Sequence, residues 1–188
     1  MDTIWLVIPC YNEQEVLPET SRQLREIMHG LMQKGKISEQ SKVAFVNDGS
    51  RDNTWAIINQ LHEQDPLFVG VNLAHNRGHQ NALLAGLMTA KDYADAAISL
   101  DADLQDDVAA IEQFIDKFQE GKDIVYGVRS TRATDTVFKR STAHAFYKLM
   151  KTMGADTLED HADYRLMSKR ALEGLAQYKE VNLFLRGI

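Results

Sequence analysis

Asp95-Ala96-Ala97-Ile98-Ser99-Leu100-Asp101-Ala102-Asp103-Leu104-Gln105-Asp106 decides how this chain is read. A short apolar run, with the look of a buried strand, ends at Leu100, and the chain then turns acidic. On an extended backbone, Asp101 and Asp103 fall on one side, and Gln105 adds a carbonyl oxygen to that side. Carboxylates placed side by side repel, so one takes up a proton unless a cation lies between them. Hard divalent ions such as Mg²⁺ take one or two carboxylates and complete their shell with substrate phosphates. The competing use is an acidic cap for a helix beginning near Asp107. Four acids in seven residues (Asp101, Asp103, Asp106 and Asp107) exceed what a cap needs.

Working outward, the same alternation recurs. Residues 4–8 form a continuous apolar, β-branched run, stopped by Pro9, as expected for a strand covered on both faces. Pro9-Cys10-Tyr11-Asn12-Glu13 leads into a helix predicted over 14–32, with Val16, Leu17, Leu24, Ile27, Met28 and Leu31 near helical spacing. A second strand over 43–46 ends in Asn47-Asp48-Gly49-Ser50, where Ser50 or Asp52 is expected to cap the next helix. A third strand over 68–73 gives way to His75-Asn76-Arg77-Gly78 and a helix over 81–90. Beyond the acidic stretch come a helix carrying Ile111, Phe114, Ile115 and Phe118, closed by Gly121, and a fifth strand over 123–128. Strand and helix thus alternate through residue 128, which implies an α/β fold with a mainly parallel, Rossmann-like sheet flanked by helices. In such sheets ligands bind beyond the carboxyl ends of the strands. Each polar cluster just named follows a strand, so four strand ends are expected to converge on one crevice.

The remainder has a different character. Arg129, Arg132, Lys139, Arg140, Lys148 and Lys151 crowd one segment, in which Asp135 is the only acid before Asp156. Ala143, Phe146, Tyr147, Leu149, Met150 and Met153 suggest a helix there, residues 161–167 an extended piece and 169–178 a last helix. The basic run is either a solvated helix face or a surface for phosphate or anionic lipid. The 188 residues suit one domain. With 27 acidic residues against 21 basic ones, the net charge of −6 excludes a general nucleic-acid binder. The single cysteine, Cys10, leaves no internal disulfide and fits a reducing compartment; it is expected to be buried and inert. The N-terminus has no basic n-region of a signal peptide, and no run approaches the ~20 apolar residues of a membrane span. The dinucleotide fingerprint, the P-loop and the nucleophile elbow are all missing. His161-Ala162-Asp163 lacks zinc spacing.

Two residue sets stay open on these grounds alone. Tyr11 and Glu13 either hold a nucleobase or merely start a helix. Asp48 either accepts from a base or ribose hydroxyl or shapes its own turn.

Taken in order, Pro9-Cys10-Tyr11-Asn12-Glu13, Asn47-Asp48-Gly49-Ser50, Asp101-Ala102-Asp103-Leu104-Gln105-Asp106 and Ala162-Asp163-Tyr164-Arg165-Leu166 resemble the motifs of family 2 glycosyltransferases with the GT-A fold. The branch they are most similar to is the polyprenyl- and dolichyl-phosphate sugar synthases, which include bactoprenol glucosyltransferases. The resemblance spans nearly the whole chain. It implies a single GT-A catalytic domain over 1–188, with a nucleotide-sugar half (1–128) and an acceptor half (129–188). The implied reaction is an inverting, metal-dependent transfer from a nucleotide sugar to polyprenyl phosphate, with UDP favoured over GDP by analogy with the bacterial branch. Pro9, Tyr11, Glu13 and Asp48 match the positions around the nucleoside. Asp101 matches the first Asp of the DxD motif near ribose and metal, and Asp103 and Gln105 match the ligands of Mg²⁺ or Mn²⁺. Arg129 and Arg140 match basic positions near the acceptor phosphate, and Asp163 an acid near the transfer centre. Asn47 departs from the pattern, since Asp is more usual there. Many members continue past a segment like Phe184-Leu185-Arg186-Gly187 into amphipathic and transmembrane helices; this chain stops there, which the resemblance leaves open as truncation before those helices or a member without the membrane part. Its place would be the cytoplasmic side of the cell membrane. The alternatives are a transferase acting on a soluble saccharide and a nucleotide-sugar-binding module without turnover. The resemblance leaves oligomeric state open.

Overall fold

In the computed structural model of the chain, the described residues are 1–128 and 161–178. Their elements, in order, are β1 (Ile4–Cys10), α1 (Leu17–Gln33), β2 (Lys42–Asn47), α2 (Thr54–Gln64), β3 (Phe68–Asn72), α3 (His79–Lys91), β4 (Ala96–Ser99), α4 (Ala110–Gln119), β5 (Ile124–Val128), β6 (His161–Ser168) and α5 (Lys169–Leu175). One six-stranded sheet has the order β3-β2-β1-β4-β6-β5. The β1–β2, β1–β4 and β2–β3 pairs are parallel, as expected. The extended piece expected over 161–167 is a full strand, β6, which runs antiparallel to both β4 and β5 and separates them.

Alternation along β1 splits the interior into two cores. Ile4, Leu6, Ile8 and Cys10 pack with Leu24 and Met28 of α1, Ile58 of α2 and Ile111 and Ile115 of α4. Trp5 and Val7 face the other way, toward Leu83 and Leu87 of α3 and Leu172 of α5. Every β1 residue is buried, which is what helices on both faces of a central strand require. Phe45 and Phe68 are both fully buried and stack at 5.9 Å, and each burial contributes about 2–3 kcal/mol. On the second face α3 sits close to the sheet. A Cβ at Gly86 would lie 2.4 Å from Val7 Cγ1 and 2.6 Å from Val46 Cγ2, so only glycine permits this approach.

Several boundaries differ from the expected ones for local reasons. β1 continues through Pro9 to Cys10. Val7 accepts from the Leu100 N–H on the β4 side, and Pro9, two residues on, faces that side where the β4 pairing has already ended at Ser99. Its missing N–H therefore breaks no ladder bond. α1 starts at Leu17 rather than Gln14, with Pro18 in its first turn, because residues 12–14 are tied to another loop. The acidic stretch is not extended. Leu104 has φ +48°, and its N–H donates to the Asp101 carbonyl at 3.3 Å, which folds the segment into a turn and delays α4 to Ala110.

Candidate active site

The register brings the carboxyl ends of three strands level, pairing Cys10 with Asn47 and Asn47 with Asn72. The loops that follow β1 and β2 are joined to each other. Ser50 Oγ accepts from the Asn12 N–H at 3.0 Å, Thr54 Oγ1 from Glu13 at 2.8 Å, and Asp52 Oδ2 from Gln14 at 3.2 Å. In return the Arg51 N–H donates to Asn12 Oδ1 at 2.9 Å, and the Asn53 N–H to Gln14 Oε1 at 3.0 Å. Asn12 sits at φ +56°, a conformation that Asn tolerates better than most residues. Ser50 and Asp52 were expected as caps of α2. Asp52 does so in part, since its Oδ1 accepts from the N–H of Thr54, the first residue of α2, at 3.0 Å while its Oδ2 serves this junction; Ser50 serves the junction instead.

Asp48 ties a third loop to the same place. Its side chain is 2% exposed. Oδ1 accepts from the Arg77 N–H at 2.6 Å and Oδ2 from the Gly78 N–H at 2.9 Å. This geometry realises the turn-shaping reading, and the shaping acts across loops. Next to it, Gly49 at φ +64° lies against the same loop, where a Cβ would meet Asn76 N at 2.5 Å. Asn47 also has an assignable task. Its Nδ2 donates to Asn72 Oδ1 at 2.7 Å and its Oδ1 accepts from the Ser50 N–H, so the amide supplies a donor that Asp could not.

These tethers frame a cleft of about 390 Å³. Pro9 and Glu13 line it from the β1 loop, His79 and Gln80 from the start of α3, and Asp101, Ala102 and Asp103 from the loop after β4. His79 Nε2 lies 3.7 Å from Asp101 Oδ1. Burial pushes the Glu13 carboxyl above its ordinary value, and the charges of Asp103, Asp52 and Asp101 push it further. The cleft is therefore a place where negative charge is concentrated and costly. Among the described residues, no three His, Cys, Asp or Glu side chains converge closely enough to hold a metal by themselves. Carboxylate oxygens that repel one another, short of a full cage, fit an ion such as Mg²⁺ or Mn²⁺ whose shell a phosphorylated ligand completes.

The sequence-predicted residues divide as follows. Pro9, Glu13, Asp101 and Asp103 meet on one cleft. Gln105 was placed on the same side as Asp101 and Asp103 by assuming an extended backbone; with the turn at Leu104 it is not among the residues lining the cleft. Its N–H donates to Asp103 Oδ1 at 3.3 Å. Tyr11 is 40% exposed on the β1 loop, also outside that lining. Arg129 and Arg140 lie outside the described residues. Asp163 has its backbone in β6, and its side chain lies outside what is described. Cys10 is buried, and burial raises its thiol far above the ordinary value, so it is inert. His79 and Gln80 were not foreseen. The available signal was their position directly after Gly78, at the start of the helix that follows a strand-end cluster.

The pattern of the Glycosyl transferase family 2 family matches residues 5–175. The chain is 54% identical over 183 residues to the uncharacterized glycosyltransferase YkoT of Bacillus subtilis, covering 97% of this chain and 54% of that protein. It is 41% identical over 186 residues to the bactoprenol glucosyl transferase of Shigella phage SfV, covering 98% of this chain and 58% of that one. The chain thus spans a little over half the length of these relatives. Among solved structures it is similar to glucosyl-3-phosphoglycerate synthase from Mycobacterium tuberculosis in complex with Mn²⁺, uridine diphosphate and phosphoglyceric acid. That likeness has a TM-score of 0.56 at 17% identity and covers 90% of this chain and 56% of the other. The shared architecture is the GT-A fold, as expected from the sequence.

Proposed function

This chain belongs to glycosyl transferase family 2, and from that premise we propose that it is the catalytic domain of an enzyme moving a sugar from a nucleotide sugar to polyprenyl phosphate, with inversion at the anomeric carbon. The observation that carries the proposal is the meeting of Asp101, Asp103 and Glu13 on one cleft beyond the carboxyl ends of β1 and β4. The bactoprenol glucosyl transferase relatives support the acceptor class. The Mn²⁺ and uridine diphosphate bound by a protein of the same fold support the donor class, with UDP favoured. The chain would work against the cytoplasmic side of a membrane. Among the described residues, no helix is long and apolar enough to cross one.

Asp101 and Asp103 would hold Mg²⁺ or Mn²⁺ against the donor diphosphate. The ion supplies charge stabilisation to the departing nucleoside diphosphate. Pro9, Tyr11, Glu13 and Asp48 are proposed to hold the nucleoside, Asp48 while also fixing the loop of Arg77 and Gly78 at that end of the site. In the transfer, an acceptor phosphate oxygen bonds to the anomeric carbon. The bond from that carbon to the diphosphate breaks, and its electron pair leaves on the diphosphate. The acceptor phosphate is already ionised near neutral pH, so Asp163 has no proton to remove and is assigned an orienting role. Arg129 and Arg140 are proposed to hold the acceptor phosphate.

Calorimetry on Asp103→Ala tests the assignment. Loss of at least tenfold in Mn²⁺-dependent affinity for UDP- or GDP-sugars is expected. Unchanged affinity for all of them in both Mg²⁺ and Mn²⁺ would remove the basis of the proposal. Radiolabelled transfer then separates the acceptors. Transfer to short-chain polyprenyl phosphate is expected, whereas transfer to a free saccharide, or tight binding with no transfer, would favour the alternatives.

A further inference from the structure

The loop from Asp101 to Asp107 is an unfavourable piece of chain. It bends through a non-glycine residue at positive φ, Leu104, which costs about 1–2 kcal/mol. It also carries Asp101 and Asp103, whose charges act on Glu13 across the cleft.

Two side-chain hydroxyls from distant elements grip it at either end. Thr20, on α1, donates from Oγ1 to the carbonyl of Ala102 at 2.6 Å. Tyr164, on β6, donates from Oη to the carbonyl of Asp107 at 3.1 Å. Neither hydroxyl is there by default. Thr20 is 3% exposed in the N-terminal turn of α1, where a buried hydroxyl is costly without a partner. Tyr164 is 4% exposed and packs its ring at 4.7 Å on Phe114, which a phenylalanine would do equally well. Gly127 allows that ring to come in, since a Cβ there would meet Tyr164 Cδ1 at 2.9 Å. Burial, with the charges of Asp107 and Asp106, raises the Tyr164 hydroxyl well above its ordinary value, so it remains a donor.

We infer that Thr20 and Tyr164 are positioning residues: their hydroxyls clamp the acidic loop at Ala102 and Asp107 and so set the geometry in which Asp101 and Asp103 receive a divalent cation and the diphosphate of the donor. The clamp joins that loop to α1 on one side and to β6, the strand that also carries Asp163, on the other. The inference rests on the proposed cation-dependent donor binding.

The test uses UDP and GDP as probes, titrated by calorimetry over a series of Mn²⁺ concentrations, on the parent chain and on Thr20→Val, Thr20→Ser and Tyr164→Phe. Valine and phenylalanine keep the shape and remove the hydroxyl, whereas serine keeps the hydroxyl. Loss of one such hydrogen bond predicts that Thr20→Val and Tyr164→Phe each raise the Mn²⁺ concentration for half-maximal nucleotide binding about 3- to 10-fold. Thr20→Ser should stay within about twofold of the parent. A lowered melting temperature with an unchanged Mn²⁺ half-point would mean an ordinary structural role and would overturn the inference. Should Thr20→Val fail to fold, Tyr164→Phe decides on the same criterion. If the parent chain binds no nucleotide in a Mn²⁺-dependent way, the functional proposal fails first and the clamp inference falls with it. Dependence in the parent that persists unaltered in the variants sinks the clamp alone.

Discussion

Removing the Asp48 carboxylate separates a residue that touches substrate from one that builds the site. Asp48 accepts the N–H groups of Arg77 and Gly78 at 2.6 and 2.9 Å while itself 2% exposed. Hydrogen bonds to a charged group contribute about 1.5–3 kcal/mol each. Arg77 and Gly78 are exposed, so water replaces part of what is lost, and the low end applies. Asp48→Ala should therefore destabilise by about 3 kcal/mol. Asp48→Asn keeps one acceptor but turns an amide N–H₂ toward the other donor, at a cost of about 1.5–2 kcal/mol. For a chain of this size, 1 kcal/mol moves the melting temperature by about 3 °C, so shifts of about 9 °C and 5 °C are expected. Thermal melts by circular dichroism read these shifts directly. Amide exchange at Arg77 and Gly78 should rise in both variants, and UDP affinity should fall only as far as the α3 end of the cleft is loosened. An Asp48→Asn protein that melts within 1 °C of the parent, yet loses UDP binding tenfold, would refute the reasoning and leave Asp48 to the nucleoside alone.

Two further outcomes follow from the same geometry. Glu13 binds its proton more tightly in the folded chain than its ordinary value of 4.5, first through burial and then through Asp103, Asp52 and Asp101. A folded state that holds more protons loses stability as pH rises, so chemical denaturation of the metal-free protein should show full stability below the ordinary glutamate range and a decline on passing upward through the raised one. Glu13→Gln should flatten that decline, and an unchanged slope would mean that Glu13 is not the group responsible. Two glycine-to-alanine changes in helices should have opposite signs. Gly30→Ala, in α1 with nothing within 4 Å of the new Cβ, should stabilise by about 0.5–1 kcal/mol. Gly86→Ala, whose Cβ would lie 2.4 Å from Val7 Cγ1, should destabilise by about 1–2 kcal/mol even after the gain in helix propensity. Urea denaturation of the pair checks both, and equal shifts would contradict the close approach of α3.

How far the sequence carries depends on the range of the interaction. β1, β2 and β3 are legible because periodicity and apolar runs are local, and the parallel sheet follows from the alternation of elements. β6 shows the limit. His161-Ala162-Asp163-Tyr164-Arg165-Leu166-Met167 reads as an extended piece, but nothing within it says that it will lie between β4 and β5 and run against both. The acidic loop fails in a more instructive way. Placing Gln105 beside Asp101 and Asp103 assumes an alternating backbone, and that assumption ends at Leu104, whose φ of +48° no propensity scale would assign to leucine. Ser50 and Asp52 had the composition of helix caps, and only the meeting of two loops revealed them as acceptors for Asn12 and Gln14.

The residues of the site divide by what their charges meet. Asp48 and Asp52 are acids whose oxygens are answered by backbone N–H groups, and they connect the loops after β1, β2 and β3 into one frame. Glu13, Asp101 and Asp103 are acids held on that frame around a cleft, where the charges of the two aspartates add to the burial that raises Glu13. The acids that hold the loops together are the place to perturb stability, and those that line the cleft the place to perturb binding. The hydroxyls of Thr20 and Tyr164 belong to neither group, because they spend their hydrogen bonds on the backbone between and beside the cleft acids. Stability measurements alone would file them with Asp48; only their effect on the cation dependence can distinguish a clamp on the acidic loop from one more bond in the core.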